Sequence, residues 1–246
     1  MPAAAPGNLP QGLSGPNTDA LRQKAAAVYA VLTETYGLLE LTPRRAPMHE
    51  LISTILSHRT THADEETAYH RMWERFGSWE AIRDAPVEDL AGAIRTTRWP
   101  ERKAPQIKAV LATIIAERGE PSIDFLAGLP GDEGMRWLMA LPGVGLKTAS
   151  LVLLFCFAKP VLPVDTHVHR VSQRVGLIAP TASPELAHAV LLSLFPADPY
   201  ILFNFHKAAL RHGQRICTFS DPDCERCPVL PLCDYGRRRL GLVPET

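Results

Sequence analysis

The sequence predicts an all-α protein, and three observations predict it. Apolar side chains recur at helical spacing, no stretch alternates with a period of two, and no Asn-Gly or Asp-Gly pair marks a strand hairpin. The chain has 246 residues, 46% of them hydrophobic and 21% charged, which is enough to bury a core. That composition excludes collagen-like, fully disordered and disulfide-scaffold proteins. At roughly 100–200 residues per domain, the length suits one large domain or two modest ones.

Taken in order, residues 1–20 are rich in Pro, Gly, Ala and Asn and read as a disordered tail. Helical patterning starts at Leu21. Leu51, Ile52, Ile55 and Leu56 share one helical face, as do Tyr69, Met72, Trp73 and Phe76, and then Ile107, Val110, Leu111, Ile114 and Ile115. Met135, Leu138 and Met139 mark an amphipathic helix, Ala149 to Phe157 an apolar one, and Ser183-Pro184 an N-cap with proline at the first helical position. Prolines 86, 121, 130, 142, 163, 184 and 199 fall between such stretches. The expectation is about ten helices, no sheet and, with no fixed repeat, no solenoid.

The longest unbroken apolar run, Leu151 to Ala158, is eight residues, too short to cross a bilayer. The first basic side chain, Arg22, follows a stretch with no apolar h-region, so no secretory signal is read and a cytoplasmic location is expected. Formal charge is zero, with 26 basic and 26 acidic residues, yet it is unevenly spread. Residues 1–135 carry 14 Lys/Arg and 18 Asp/Glu, whereas residues 136–246 carry 12 and 8, a net of +4. A zero total can therefore hide a basic face.

Three segments carry chemistry. The first is Leu141-Pro142-Gly143-Val144-Gly145-Leu146-Lys147, between two helical stretches. Glycines two apart allow a tight hairpin whose backbone N–H groups a phosphate can approach, with the positive end of the next helix behind them. An ordinary glycine turn fits the same residues. A nucleotide P-loop does not, because the G-x-x-x-x-G-K spacing is absent. The second is Val164-Asp165-Thr166-His167-Val168-His169-Arg170, in which Asp165 suits an N-cap and the histidines suit backbone carbonyls better than a metal. His58 and His62 have i, i+4 spacing but lack the intervening glutamate of a zinc-protease helix. The third is C-x6-C-x2-C-x5-C at Cys217, Cys224, Cys227 and Cys233. Its uneven spacing suits a [4Fe–4S] cube with one cysteine per iron, and zinc is the alternative. Cys156, inside the apolar run, reads as a small buried hydrophobe.

L-P-G-V-G-L-K-T-A, then V-D-T-H, then this cysteine pattern closely resembles the endonuclease III family, helix-hairpin-helix DNA glycosylases with an iron–sulfur cluster. The resemblance runs from about Leu21 to Cys233. It implies a two-domain helix-hairpin-helix DNA glycosylase fold: a helical barrel domain over 42–158, and a cluster domain built from 21–41 and 159–246. It places the active site in the cleft between them and implies a DNA partner carrying a damaged base or abasic site, a [4Fe–4S] cofactor and a nucleoid-associated location. Nothing in the sequence calls for more than a monomer.

By that resemblance, Lys147 and Asp165 are the catalytic pair. Lys147 would attack C1′ of a nucleotide flipped from the stack, and Asp165 would assist deprotonation and stabilise positive charge on the sugar. The resulting Schiff base acidifies the C2′ proton, and β-elimination cuts the strand. The implied activity is bifunctional: DNA glycosylase and abasic-site lyase, acting on oxidised pyrimidines. Leu141, Gly143, Val144 and Gly145 would meet the DNA backbone, with His58, Arg59 and His167 also facing DNA. The chain departs from the family at Ser57-His58-Arg59-Thr60-Thr61-His62, where Arg59 takes the place of a gap-filling glutamine and His62 that of an aspartate. A second departure is Arg98-Trp99-Pro100-Glu101, ahead of the pair Lys103-Ala104 that matches the family, with Trp99 read as core rather than wedge. A cluster with four thiolates carries about −2, which Arg211, Arg215, Arg226 and Arg237 to Arg239 would offset while reaching phosphates. The last three fit a solvated tail equally well. The rivals are a monofunctional or mismatch-specific glycosylase, against which Lys147 counts, and a non-catalytic iron–sulfur DNA-binding protein.

Overall fold

The computed structural model describes residues 16–243. Among them every regular element is helical: α1 (Pro16–Tyr36), α2 (Pro47–Ser57), α3 (His62–Phe76), α4 (Trp79–Asp84), α5 (Val87–Ala93), α6 (Pro100–Arg118), α7 (Gly131–Ala140), α8 (Leu146–Phe157), α9 (Thr166–Val175), α10 (Pro184–Leu194), α11 (Pro199–Arg215) and α12 (Asp234–Arg239). Asp124–Gly128 and Leu230–Leu232 form 3₁₀ turns. That is more helices than the ten expected, because short ones such as α4 and α12 span too few residues for periodicity to register.

The tail expected over residues 1–20 does not cover residues 16–20, which are helical. Helix α1 starts at Pro16, with Asp19 in its first turn and Thr18 buried. Proline is tolerated at a helix start because its missing N–H has no intrahelical partner there, and an acidic first turn complements the helix dipole. Residues 1–15 lie outside the described residues.

Local chemistry sets the helix ends. Thr61 caps α3 by accepting from the Asp64 N–H, and Ser183 caps α10 by accepting from Leu186, with Pro184 at the first position as expected. Asp198 caps α11 through the N–H groups of Tyr200 and Ile201.

The chain divides into two compact units, Met1–Leu41 with Pro160–Thr246, and Thr42–Lys159. In the second, α2 packs on α3, α6 and α8, α6 lies against α4 and α5, and α7 pairs with α8. Leu51, Ile52, Leu56, Ile107, Leu111 and Ile114 are fully buried there, each contributing roughly 1.5–3 kcal/mol. Trp73 departs from its expected place on the buried face and is 37% exposed, its ring centroid 4.9 Å from that of Trp79 in a T-shaped pair. In the first unit α11 packs on α1 and α9, and α12 on α9. Asn204 ties the end of the α1 segment to α11, accepting from the Leu39 N–H at 2.8 Å and donating to the Leu39 carbonyl at 3.1 Å.

Candidate active site and cysteine pocket

The hairpin of the Thr42–Lys159 unit is built as the glycines require. Gly143 has φ +69°, a left-handed conformation that disfavours any Cβ. Gly145 is the N-cap of α8 in extended backbone, and Lys147 follows at the second helical position, half-buried. The first N–H groups of α8 have no intrahelical acceptor, as at any helix start. Leu141 and Val144 are 3% and 5% exposed, so their side chains belong to the core and only their backbone can meet a ligand. The Val144 N–H is itself used, closing the turn on the Leu141 carbonyl at 3.1 Å.

Beside the hairpin lies the loop after α2. His58 and Arg59 are exposed, and Arg59 adopts φ +50°. Loss of water lowers the His58 imidazole pKa from its ordinary value, with the charges of Lys147 and Lys103 adding to the effect. Trp99 also sits at positive φ, +58°, and is 41% exposed, which corrects the core expectation. Its ring lies 6.0 Å from the Arg59 guanidinium and 5.6 Å from that of Arg98, where two cations meet the π face. Two non-glycine residues in this conformation cost about 1–3 kcal/mol each, so their surroundings must hold them.

Lys103 does much of that holding. Its side chain is buried, and Nζ donates to the Leu56 carbonyl at 2.6 Å, the His58 carbonyl at 2.9 Å and Thr60 Oγ1 at 2.9 Å. Burial pushes its pKa down to about 8. Thr60 Oγ1 also accepts from the Arg98 N–H at 3.1 Å, joining the two strained loops. Gln106 Nε2 donates to the carbonyls of Gly143 at 3.0 Å and Pro142 at 3.5 Å. Neither role was read from the sequence. A signal existed for Lys103, which stands four residues before Ile107 on the buried face of α6. His62, the other loop departure, lies at the first position of α3 with Nδ1 3.2 Å from Glu65 Oε2.

Asp165 belongs to the other unit. Its Oδ1 accepts from the N–H groups of His167 at 2.9 Å and Val168 at 2.8 Å, capping α9. Oδ2 takes no part in the cap, so one carboxylate can serve the helix and still present an oxygen elsewhere. The two histidines differ in their partners: His169 Nε2 meets the Ala182 carbonyl at 3.0 Å, whereas His167 Nδ1 accepts from the Arg170 guanidinium at 3.1 Å rather than meeting a carbonyl.

Cys217, Cys224, Cys227 and Cys233 are free thiols lining one pocket with Val175, His212, Ile216 and Leu230. Cys156, half-buried on α8, is apart from them, and burial raises its thiol to about 12. Among the described residues no three His, Cys, Asp or Glu side chains close around a point as ligands of a single ion would. Burial pushes the Cys227 thiol up to about 12 and raises Cys224 and Cys233. Donors reach two of the sulfurs, Arg174 to Cys217 at 3.4 Å and the Gly236 N–H to Cys233 at 3.3 Å, and Cys227 Sγ lies 3.6 Å from His212 Nε2. Tyr36 Oη lies 3.0 Å from His212 Nδ1, and burial lowers the His212 pKa to about 4. With Tyr36 Oη donating to Nδ1, a neutral ring would carry its proton on Nε2, toward the sulfur. Four thiols lining one apolar-walled pocket, two of their sulfurs accepting from N–H donors, fit an iron–sulfur cluster. Of the arginines expected to form a basic face, Arg226 pairs with Asp223 at 3.4 Å and Arg239 with Asp221 at 3.7 Å, which reduces their net field.

The family described as HhH-GPD superfamily base excision DNA repair protein matches residues 52–197. Endonuclease III of Thermotoga maritima is 35% identical over 193 residues, covering 78% of this chain and 85% of that protein. Endonuclease III of Rickettsia conorii is 34% identical over 185 residues, covering 75% and 82%. Among solved structures, a trapped endonuclease III–DNA covalent intermediate is similar at a TM-score of 0.76 and 27% identity, covering 89% of this chain and 98% of that one.

Proposed function

This chain belongs to the endonuclease III family of HhH-GPD base excision repair proteins, and we propose that it removes oxidised pyrimidines from double-stranded DNA and cuts the resulting site through Lys147. The protein is a base excision repair DNA glycosylase, and lyase activity accords with its family. The observation that carries the residue assignment is Lys147 itself, an amine at the second position of α8 directly behind the glycine hairpin. In the proposed reaction its nitrogen attacks C1′ as the glycosidic bond breaks and the base leaves with the bonding pair. Loss of a proton from nitrogen and opening of the sugar give a Schiff base. Removal of the C2′ proton then expels the 3′ phosphate. Asp165 supplies Oδ2 for proton removal and for the charge on the sugar, while Oδ1 caps α9.

Duplex DNA would be held by backbone donors at Gly143, Gly145 and the start of α8, with Arg59 filling the space of the flipped nucleotide and His58 and His167 alongside. Cys217, Cys224, Cys227 and Cys233, which line one pocket, would hold a [4Fe–4S] cluster with one cysteine per iron. When bound, it supplies a cross-link for the C-terminal loop and a centre able to change charge.

Borohydride trapping on a duplex with one abasic site, beside Lys147→Ala, tests the assignment. A covalent adduct from the wild type that vanishes in the variant is the expected result. No adduct from cluster-loaded wild type would refute the lyase step and favour a monofunctional enzyme.

A further inference from the structure

We propose that Lys103 and Gln106 are positioning residues that lock the 57–60 loop and the 141–145 hairpin into a single DNA-reading register. The inference rests on the glycosylase reading above and adds to it the parts that keep that surface in shape.

The two side chains stand at i and i+3 on α6, so they project from the same face, about one turn apart. Lys103 reaches the loop and Gln106 reaches the hairpin. An ammonium suits its place because it offers three donors and no acceptor, and three oxygens converge on it within 2.9 Å. Two of those oxygens, on His58 and Thr60, flank Arg59, whose φ of +50° would otherwise relax. Thr60 extends the brace to the Trp99 loop through its bond to the Arg98 N–H. On the other side, the Gln106 amide holds two carbonyls of the hairpin turn, and those bonds fix which way the intervening peptide planes face. The loop follows α2 and Lys147 lies in the first turn of α8, and those two helices pack on each other. A shift of α6 would therefore move both edges of the surface on which the nucleotide must be extruded.

The two halves of the reaction separate this role from a general structural one. Extruding a stacked, paired base depends on the loop, whereas Schiff-base formation at a ready-made abasic site depends mainly on the amine. The experiment compares single-turnover base removal from a thymine glycol duplex with borohydride trapping on an abasic duplex, each normalised to active enzyme. Lys103→Met is expected to slow base removal about tenfold or more, within the range known for small misplacements of reacting groups, while trapping stays within about threefold. Thr60→Val removes one acceptor from a half-exposed position and should show the same split, and Thr60→Ser should restore the wild-type ratio. It carries the test if Lys103→Met does not fold. Gln106→Met should weaken duplex binding several-fold with an unchanged salt slope, because the hairpin contacts it preserves are neutral amides that release no counterions.

Unchanged base removal in both Lys103→Met and Thr60→Val, or equal loss in the two assays, would overturn the positioning role. Wild-type protein that neither removes the base nor forms an adduct would overturn the enzyme reading instead, so the two failures are distinguishable.

Discussion

Gly143 and Gly145 occupy one short turn, yet alanine at each should fail for different reasons. At Gly143, φ of +69° puts an alanine in the left-handed region, which costs about 1–2 kcal/mol. Its Cβ would also stand 2.5 Å from Gln106 Nε2 and 2.9 Å from Gln106 Cδ, so that side chain must swing away. The two bonds it then loses, to the Pro142 and Gly143 carbonyls, are worth about 0.5–1.5 kcal/mol each, toward the low end because water can reach them. Together Gly143→Ala should destabilise the protein by about 2–4 kcal/mol, a fall in Tm of roughly 4–15 °C for a chain of this size. Gly145 has φ −98° and ψ 178°, open to any residue, and a Cβ there meets nothing within 4 Å. Its loss as an N-cap should cost under about 1 kcal/mol. That empty space is where a phosphate would approach the backbone, so Gly145→Ala should lower Tm by no more than about 4 °C and lose duplex affinity about tenfold. Thermal unfolding followed by circular dichroism and fluorescence anisotropy on an abasic-site duplex read the two effects. Gly145→Ala binding as tightly as wild type would refute the phosphate approach, and an unchanged Tm in Gly143→Ala would refute the clash.

Other consequences follow from buried groups. Lys103 has a folded pKa near 8 against 10.5 in the unfolded chain, so the unfolded chain binds more protons between those values. The penalty for burying its charge is complete below about pH 8 and is relieved as pH rises toward 10.5. In urea melts, the stability of wild type relative to Lys103→Met should therefore climb by up to about 3 kcal/mol from pH 7 to pH 10.5, and a flat difference would contradict it. His212→Leu leaves Tyr36 Oη and Cys227 Sγ without their shared partner. If the four cysteines hold the proposed cluster, lower iron and sulfide per chain, or a shifted reduction potential, is expected, since partners of metal ligands typically tune affinity 10–100-fold. Wild-type iron content together with an unshifted potential would count against any role for His212 at the pocket.

The helical class and the family were legible in the residues themselves. Apolar spacing such as Leu51, Ile52, Ile55 and Leu56 reports one buried face, and Ser183-Pro184 marks a helix start, because both are set by interactions within a few residues. Gly143 announced a turn for the same local reason. Tertiary structure decided what periodicity cannot encode. Met72 and Trp73 are neighbours in one apolar pattern, yet the first is fully buried and the second is 37% exposed, because burial depends on what packs opposite. Trp99 followed the same rule. Leu141 and Val144, grouped in the sequence with glycines read as DNA-facing, turned their side chains inward. Lys103 is the sharpest instance. A lysine on an apolar face is an anomaly in one dimension, and only the convergence of oxygens from residues more than forty positions away makes it a buried, satisfied ammonium. Sequence carries short-range preferences directly, whereas a hydrogen-bond partner distant in the chain exists only once the fold has brought it near.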